Sequence, residues 1–434
     1  MLASKTNNYL KFFFKVHVTN KFEIITILII SLSIQGLVFG KFLDNSIINS
    51  YLPFYTDAEE YVEHSNVWAQ KSFDEAFKNL WRMPGYPAFL LVIKFLSPHE
   101  PFLTVRIIQS LGTSLAVVIL FLVLKKYITK KHAFIFCLLY CFVPTWYFSF
   151  GLTPESLTYF IIVLIIYVLS KLSKYNYMLI SVIGLLFSIL VYLKPNNILI
   201  IIPIFIFIIT SFKGSIKKSF ISLLIIISLT LLPWIVYSNI GDRKFYGLTT
   251  TQGLNLYIGT GMVLTYDNSA LANSAVHWKV DPRNNPKDIV NTNSFNSALE
   301  SNQYLTEKAL GIWKTRPIQQ IGYSFDKISI AFGFKVNSIS NYLLGVFTAF
   351  ALVGSILLYN IRPLNAWGAT TLTIFIVLAI QAAIFQADRR FVLTVFPQFG
   401  LLSISFAYSN LVIKNRIFSF IKSFYKKKKL SNLV

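Results

Sequence analysis

The sequence predicts an all-α, polytopic membrane protein of about ten transmembrane helices, with further helices lying in the membrane interface. Three observations lead there. Residues are 55% hydrophobic and only 13% charged, with a mean hydropathy of +0.59, a balance that a soluble globule of 434 residues does not carry. Uncharged apolar runs of about 18 residues recur along the chain, and at about 1.5 Å per residue each approaches the length needed to cross a hydrocarbon core of about 30 Å. Basic residues are concentrated in one alternating set of loops.

The expected spans are 23–40, 102–124, 133–150, 156–170, 177–193, 197–212, 219–238, 342–359, 366–386 and 391–412. The fourth is short, and its outer end extends into Thr153-Pro154-Glu155. The first follows a basic segment and lacks a clear small-residue cleavage site, so it reads as a retained span and not as a removed signal peptide.

Ten spans leave both termini on one side, together with the loops 125–132, 171–176, 213–218 and 360–365. These loops and the tails 1–22 and 413–434 hold 21 of the 40 Lys and Arg residues and none of the 18 Asp and Glu residues. Lys/Arg bias in short loops marks the cytoplasmic face, which puts both termini inside. The formal charge of +22 is therefore a topology signal, and Lys426-Lys427-Lys428-Lys429 reads as contact with anionic membrane lipids, not nucleic acid. The acidic face is the outer one.

Two outer segments, 41–101 and 239–341, are far longer than the other connections on that side; with the spans and the basic tail 413–434 they form a single domain. Pro84 to Ser97 is apolar, too short to span and interrupted by Lys94, which predicts an interfacial or re-entrant helix. Thr315 to Phe334 alternates apolar residues with Arg316, Asp326 and Lys327 and predicts a second interfacial helix, while Thr265 to Glu307 is polar.

Several chemistries find little support. Cys137 and Cys141 are four apart in one apolar run, as packing residues on one helix face would be. Five scattered His residues give no transition-metal spacing. Gly253, Gly259 and Gly261 lack the following Lys-Ser/Thr of a nucleotide-binding loop. What remains is a set of outer-face charges. Asp57-Ala58-Glu59-Glu60-Tyr61 and Arg82-Met83-Pro84-Gly85-Tyr86-Pro87 follow the first span. Pro154-Glu155 precedes the fourth, Lys194-Pro195 follows the fifth, and Asp388-Arg389-Arg390 lies between the last two. Each has a plainer reading: Asp57 suits a helix N-cap or first turn, Glu155 a span end, and Lys194 a side chain snorkelling to headgroups. Pro84, Gly85 and Pro87 read as shaping residues, with the glycine relieving a bend.

These elements together resemble the integral-membrane glycosyltransferases of the C-type fold, specifically the bacterial relatives of dolichyl-phosphate-mannose protein mannosyltransferases grouped around family 39, and also the lipid A aminoarabinose transferases. The likeness is carried by Asp57 to Tyr61, Arg82 to Pro87, Pro154-Glu155, Lys194-Pro195, Pro233-Trp234, Gly253 to Gly259, and Arg390-Phe391 with Pro397. Each motif alone is weak; their order and topological side make the set specific. Some relatives pair Asp with Glu at the first-loop site, where Ala58 stands here, and the chain reaches Val434 without the soluble C-terminal domain of the aminoarabinose enzymes.

The resemblance implies an inverting transferase that moves a sugar from a polyprenyl-phosphate carrier to a cell-envelope glycan, lipid or protein on the outer face of the cell membrane. Such chemistry needs a carboxylate base and cations for the departing phosphate. Asp57 is the expected base, with Glu60 as its substitute and Glu155 as a further site carboxylate. Arg82, Lys194 and Arg390 are the expected phosphate cations, with Arg389 in reserve. No cofactor is implied; Asp57 and Glu155 offer oxygen ligands that a hard divalent cation would accept, although their separation in sequence argues little for one. Two other readings stay open: a lipid-linked oligosaccharide flippase or transporter, for which no internal repeat is evident, and a polysaccharide polymerase or ligase, which the long segment 239–341 would suit.

Overall fold

The computed structural model describes residues 20–42, 57–78, 80, 82–143, 148–172, 175–211, 216–240, 248–260, 298–334, 339–359, 361, 364–385 and 389–431. Among these residues every regular element is a helix. The first apolar run forms α1 (Lys21–Phe42). After it come α2 (Asp57–Gln70), α3 (Phe73–Phe77) and α4 (Gly85–Leu96), the last over the expected interfacial stretch. Then follow α5 (Pro101–Leu124), α6 (Lys130–Tyr140), α7 (Glu155–Lys171) and α8 (Tyr177–Leu193). A 3₁₀ turn, Pro195–Ile200, leads into α9 (Ile201–Ser211), and α10 spans Ile216–Tyr237. The second long segment contributes α11 (Gln252–Gly259), α12 (Ala298–Thr315) and α13 (Pro317–Ala331). The chain closes with α14 (Ile339–Leu358), α15 (Asn365–Ile384) and α16 (Arg389–Ser431).

Helix boundaries follow local chemistry. Ser72 caps α3 through the Glu75 amide, and Asn176 caps α8 through the Leu179 amide. Pro101 and Pro317 stand in first turns, where a missing N–H costs nothing. The run expected to be helical over 133–150 stops at Tyr140, because Pro144 disfavours helical backbone at the residue before it. Within the polar stretch, residues 298–307 belong to α12, and α16 runs on through the basic tail to Ser431. Residues 265–297 lie outside the described ones.

Among the described residues four helices are both long and apolar enough to cross a membrane: Pro101–Leu124, Ile216–Tyr237, Asn365–Ile384 and Val392–Val412. Shorter apolar helices, among them Tyr177–Leu193, Pro195–Ser211 and Tyr342–Leu358, accompany them, so four of the ten expected spans are matched by full-length apolar helices among the described residues. The bundle is a membrane protein by the direction of its burial as well. Ile221, Ile225 and Leu229 recur every fourth residue on α10 and are more than half exposed, while Leu223, Ile227 and Leu231 are buried. A helix that keeps large aliphatic side chains on its outer face is suited to lipid, where that exposure carries no hydrophobic cost. Polar groups join helices inside: Ser31 Oγ lies 2.9 Å from Ser114 Oγ, and Gln35 Nε2 donates to the latter at 2.7 Å, linking α1 to α5. Cys137 and Cys141 are both buried and unbridged, as packing residues are.

Charge sorts to the two ends of the bundle. At one end Lys130 pairs with Glu23 at 2.7 Å, and Lys126 donates to the carbonyl of Ser170. The N-terminal ends of α7 and α16 and the C-terminal end of α8 meet at the other.

Candidate active site

Of the site residues expected from the sequence, all but Arg389 have their side chains described, and these six form one ionic chain. Asp57 is the first residue of α2. Its Oδ1 accepts from Arg82 Nη2 at 2.6 Å and its Oδ2 from Arg390 Nη1 at 2.8 Å. Arg82 also donates through Nε to Glu60 Oε2 at 2.7 Å. Glu155 Oε1 accepts from Lys194 Nζ at 2.6 Å and lies 3.8 Å from Arg390 Nη1. The order is therefore Glu60, Arg82, Asp57, Arg390, Glu155, Lys194: three carboxylates alternating with three cations. The side chain of Arg389 lies outside the described residues, as does Asp388.

Local structure delivers each member. Leu80, with φ of 51°, occupies the left-handed region that costs a non-glycine residue about 1–3 kcal/mol. Its carbonyl accepts from the Thr250 amide at 2.9 Å, fixing the turn that precedes Arg82. The Arg82 guanidinium then sits 5.1 Å over the Tyr61 ring, a cation–π contact, and Tyr61 meets Tyr86 edge-on. Gly85 does not adopt a left-handed backbone, so it is not there to relieve a bend. It lets α4 touch the end of α8: a Cβ would lie 2.5 Å from the Tyr192 carbonyl oxygen, two residues before Lys194.

Glu155 opens α7, where a carboxylate also complements the helix dipole. Its side chain is only 2% exposed, and among the described residues no group meets hydrogen-bond geometry with its second oxygen, Oε2. Lys194 caps the end of α8, and Arg390 lies in the first turn of α16. The plainer readings of Asp57 and Glu155 as helix-start residues hold geometrically; the ionic chain is additional to them.

The field around Asp57 is strongly positive. Burial alone would raise its carboxyl, but Arg82, Arg390 and Lys194 outweigh that and hold it well below the usual carboxylate range. Asp57 is thus ionised and double-paired. Among the described residues no three His, Cys, Asp or Glu side chains converge on a metal-sized site.

Two supporting residues escaped the sequence reading. Gln109 donates to the carbonyls of Ser149 and Gly151 at 3.1 and 2.8 Å and accepts from Tyr86 Oη at 2.8 Å. Arg106, one turn away and 4% exposed, donates to the Phe150 carbonyl at 3.1 Å. Together they pin the segment leading to Glu155 against α5 and couple it to the Tyr86 motif. Their signal was present: an arginine and a glutamine inside an apolar span are costly unless used.

This helical bundle is similar in fold to solved integral-membrane glycosyltransferases of the C-type architecture. The chain resembles the polyprenyl-phosphate-sugar-dependent enzymes of that fold, and residues 84–237, less than half of the chain, match the family described as dolichyl-phosphate-mannose-protein mannosyltransferase. Among solved structures, the apo oligosaccharyltransferase of Archaeoglobus fulgidus superposes with a TM-score of 0.51 at 12% identity, covering 93% of this chain and 52% of that one. The oligosaccharyltransferase AglB from the same organism, in complex with an inhibitory peptide and a dolichol-phosphate, gives 0.50 at 12% identity, with 93% and 52% coverage. The chain thus spans about half the length of the solved structures it matches, and at this identity the likeness is one of fold. No curated protein sequence matches the chain.

Proposed function

We propose that this protein is an inverting glycosyltransferase that takes a sugar from a polyprenyl-phosphate carrier and transfers it to a hydroxyl of a cell-envelope glycan, lipid or protein at the outer membrane face. The observation that carries this reading is the ionic chain from Glu60 to Lys194, which stores three cations beside ionised carboxylates at one end of the bundle.

The donor phosphate is an anion that competes for those cations. Arg390 and Lys194 shift toward its oxygens, and Arg82 stays between Asp57 and Glu60. As Arg390 and Lys194 turn to the phosphate, Asp57 keeps its Arg82 partner but loses part of the positive field that depresses its basicity, and its Oδ2 is freed to accept a proton. The acceptor hydroxyl attacks the anomeric carbon from the side opposite the phosphate while its proton passes to Asp57. The new carbon–oxygen bond forms as the bond to phosphate breaks, and the electron pair leaves on a phosphate oxygen stabilised by the cations. One displacement inverts the anomeric centre. Glu155 holds Lys194 in place, and its Oε2 is the remaining acceptor for a hydroxyl of donor or substrate. Glu60 anchors Arg82.

A small, mostly apolar cleft lies near the site, where Asn197, Ile200 and Pro203 face Ile374, Leu378 and Val395 between the Pro195–Ser211 stretch, α15 and α16. The Lys/Arg bias of the opposite loops supports assigning the ionic end to the outer face and both termini to the cytoplasm.

The test is transfer from a radiolabelled polyprenyl-phosphate sugar in membranes containing the protein, with the product anomer determined. Label moving into a glycan, lipid or protein with inverted configuration supports the reading. Movement of donor across sealed vesicles without transfer favours a flippase, and retained configuration excludes a single displacement.

A further inference from the structure

Lys327 is a charged side chain that the ionic chain does not use, and it is 2% exposed. It lies on α13, where the sequence suggested only a charge interrupting an interfacial helix. Its Nζ donates to the Gly259 carbonyl at 2.6 Å and to the Phe385 carbonyl at 3.3 Å. Gly259 ends α11 and Phe385 caps α15, so both are helix C-terminal carbonyls without an intrahelical partner, carrying the negative end of a helix dipole. One side-chain amine thus joins two helix ends.

It does not act alone. Gln320 Nε2 donates to the Thr260 carbonyl at 3.0 Å, and Ser324 Oγ donates to the Ala383 carbonyl at 2.9 Å. Residues 320, 324 and 327 fall on one helix face by their spacing. That face therefore binds four carbonyls, two at the end of α11 and two at the end of α15. The two ends also touch directly, since a Cβ on Gly259 would lie 2.4 Å from the Ile384 carbonyl oxygen. Only residues 386–388 separate Phe385 from α16, whose second residue is Arg390.

We propose that Lys327 is a positioning residue: by tying the carbonyl ends of α11 and α15 together, it fixes the end of α15, three residues short of α16 in sequence, and so sets where Arg390 meets Asp57 and Glu155. This gives the long segment 239–341 a task, holding one cation of the site from outside the bundle. The consequence for the donor rests on the reading of Arg390 as a phosphate cation; the consequence for the α15–α16 junction does not.

The experiment uses the full chain in nanodiscs with two readouts. Amide hydrogen exchange is followed over the last turn of α15 and the first two turns of α16, and undecaprenyl phosphate binding is measured as the ligand probe. Lys327→Met, which keeps bulk and removes the donors, is expected to speed exchange in that window and to weaken binding by about tenfold, with Lys327→Arg restoring both. Adding Lys327→Met to Arg390→Gln is expected to weaken binding no further than Arg390→Gln alone, as residues acting through one another do. Unchanged exchange in the window, or fully additive losses of binding, overturns the proposal. If the wild-type protein does not bind undecaprenyl phosphate, the donor reading fails and the exchange measurement alone decides on Lys327. Should Lys327→Met not fold, Ser324→Ala removes a single member of the same face and carries the exchange measurement.

Discussion

Arg390 and Asp57, 333 residues apart, meet at 2.8 Å, and this contact joins the first and last parts of the chain into one site. Each Asp57 oxygen is held by a different arginine, Arg82 on one side and Arg390 on the other. Removing Arg390 leaves Asp57 with Arg82 alone and frees one of its oxygens in a partly buried setting, so the variants below separate binding from stability.

Arg390→Gln is expected to weaken polyprenyl-phosphate binding by about tenfold to a hundredfold, the worth of one charge-assisted hydrogen bond. Arg390→Lys keeps the charge but not the forked geometry and falls between the two. Titration of the lipid phosphate into nanodiscs measures both, and binding equal to wild type in Arg390→Gln would remove this arginine from the donor site.

Glu155→Gln breaks the most buried pair of the site, leaving Lys194 beside a neutral amide. Losing one partner of a buried ion pair costs about 3–5 kcal/mol, so the variant is expected to melt well below wild type in detergent. An unchanged melting temperature would mean that Lys194 finds its compensation elsewhere.

Acid should act on Asp57 in a defined direction. Its carboxyl is held below the usual range in the folded protein, so its stabilisation is complete above the ordinary carboxylate pKa of about 4 and is lost as pH falls from there toward its own lowered value. Melting temperature plotted against pH should therefore have a flatter acid arm in Asp57→Asn than in wild type, with the two differing most above that ordinary value.

Gly85→Ala places a methyl against the backbone of Tyr192, where nothing flexible can yield. The expected cost is about 1–3 kcal/mol of stability, with reduced activity as α4 and α8 separate beside Arg82 and Lys194. Thermal melting and transfer assays on the same preparation check it; full activity would show that this close approach does not position the site.

Much of this was legible in the sequence. Apolar runs and the one-sided basic loops gave the membrane bundle, and the motifs at Asp57, Arg82, Glu155, Lys194 and Arg390 gave members of the ionic chain. Pairing was not legible, because nothing local says that Asp57 meets Arg390 or that Glu155 meets Lys194. Gly85 was misread since a glycine that permits a helix crossing looks, in sequence, like one that permits a turn. The end of α6 at Tyr140 is not legible either, because apolar composition is silent on where a helix stops. Lys327 looked like any interfacial charge, and its role depends on two helix ends that only the fold brings together.

The central claim, that Asp57 takes the proton of the attacking hydroxyl, is tested most directly by sugar transfer from a radiolabelled polyprenyl-phosphate donor in membranes holding equal amounts of folded wild type and Asp57→Asn. The account predicts that the variant loses about a hundredfold or more in rate, the usual contribution of a general base. Transfer at the wild-type rate would contradict it.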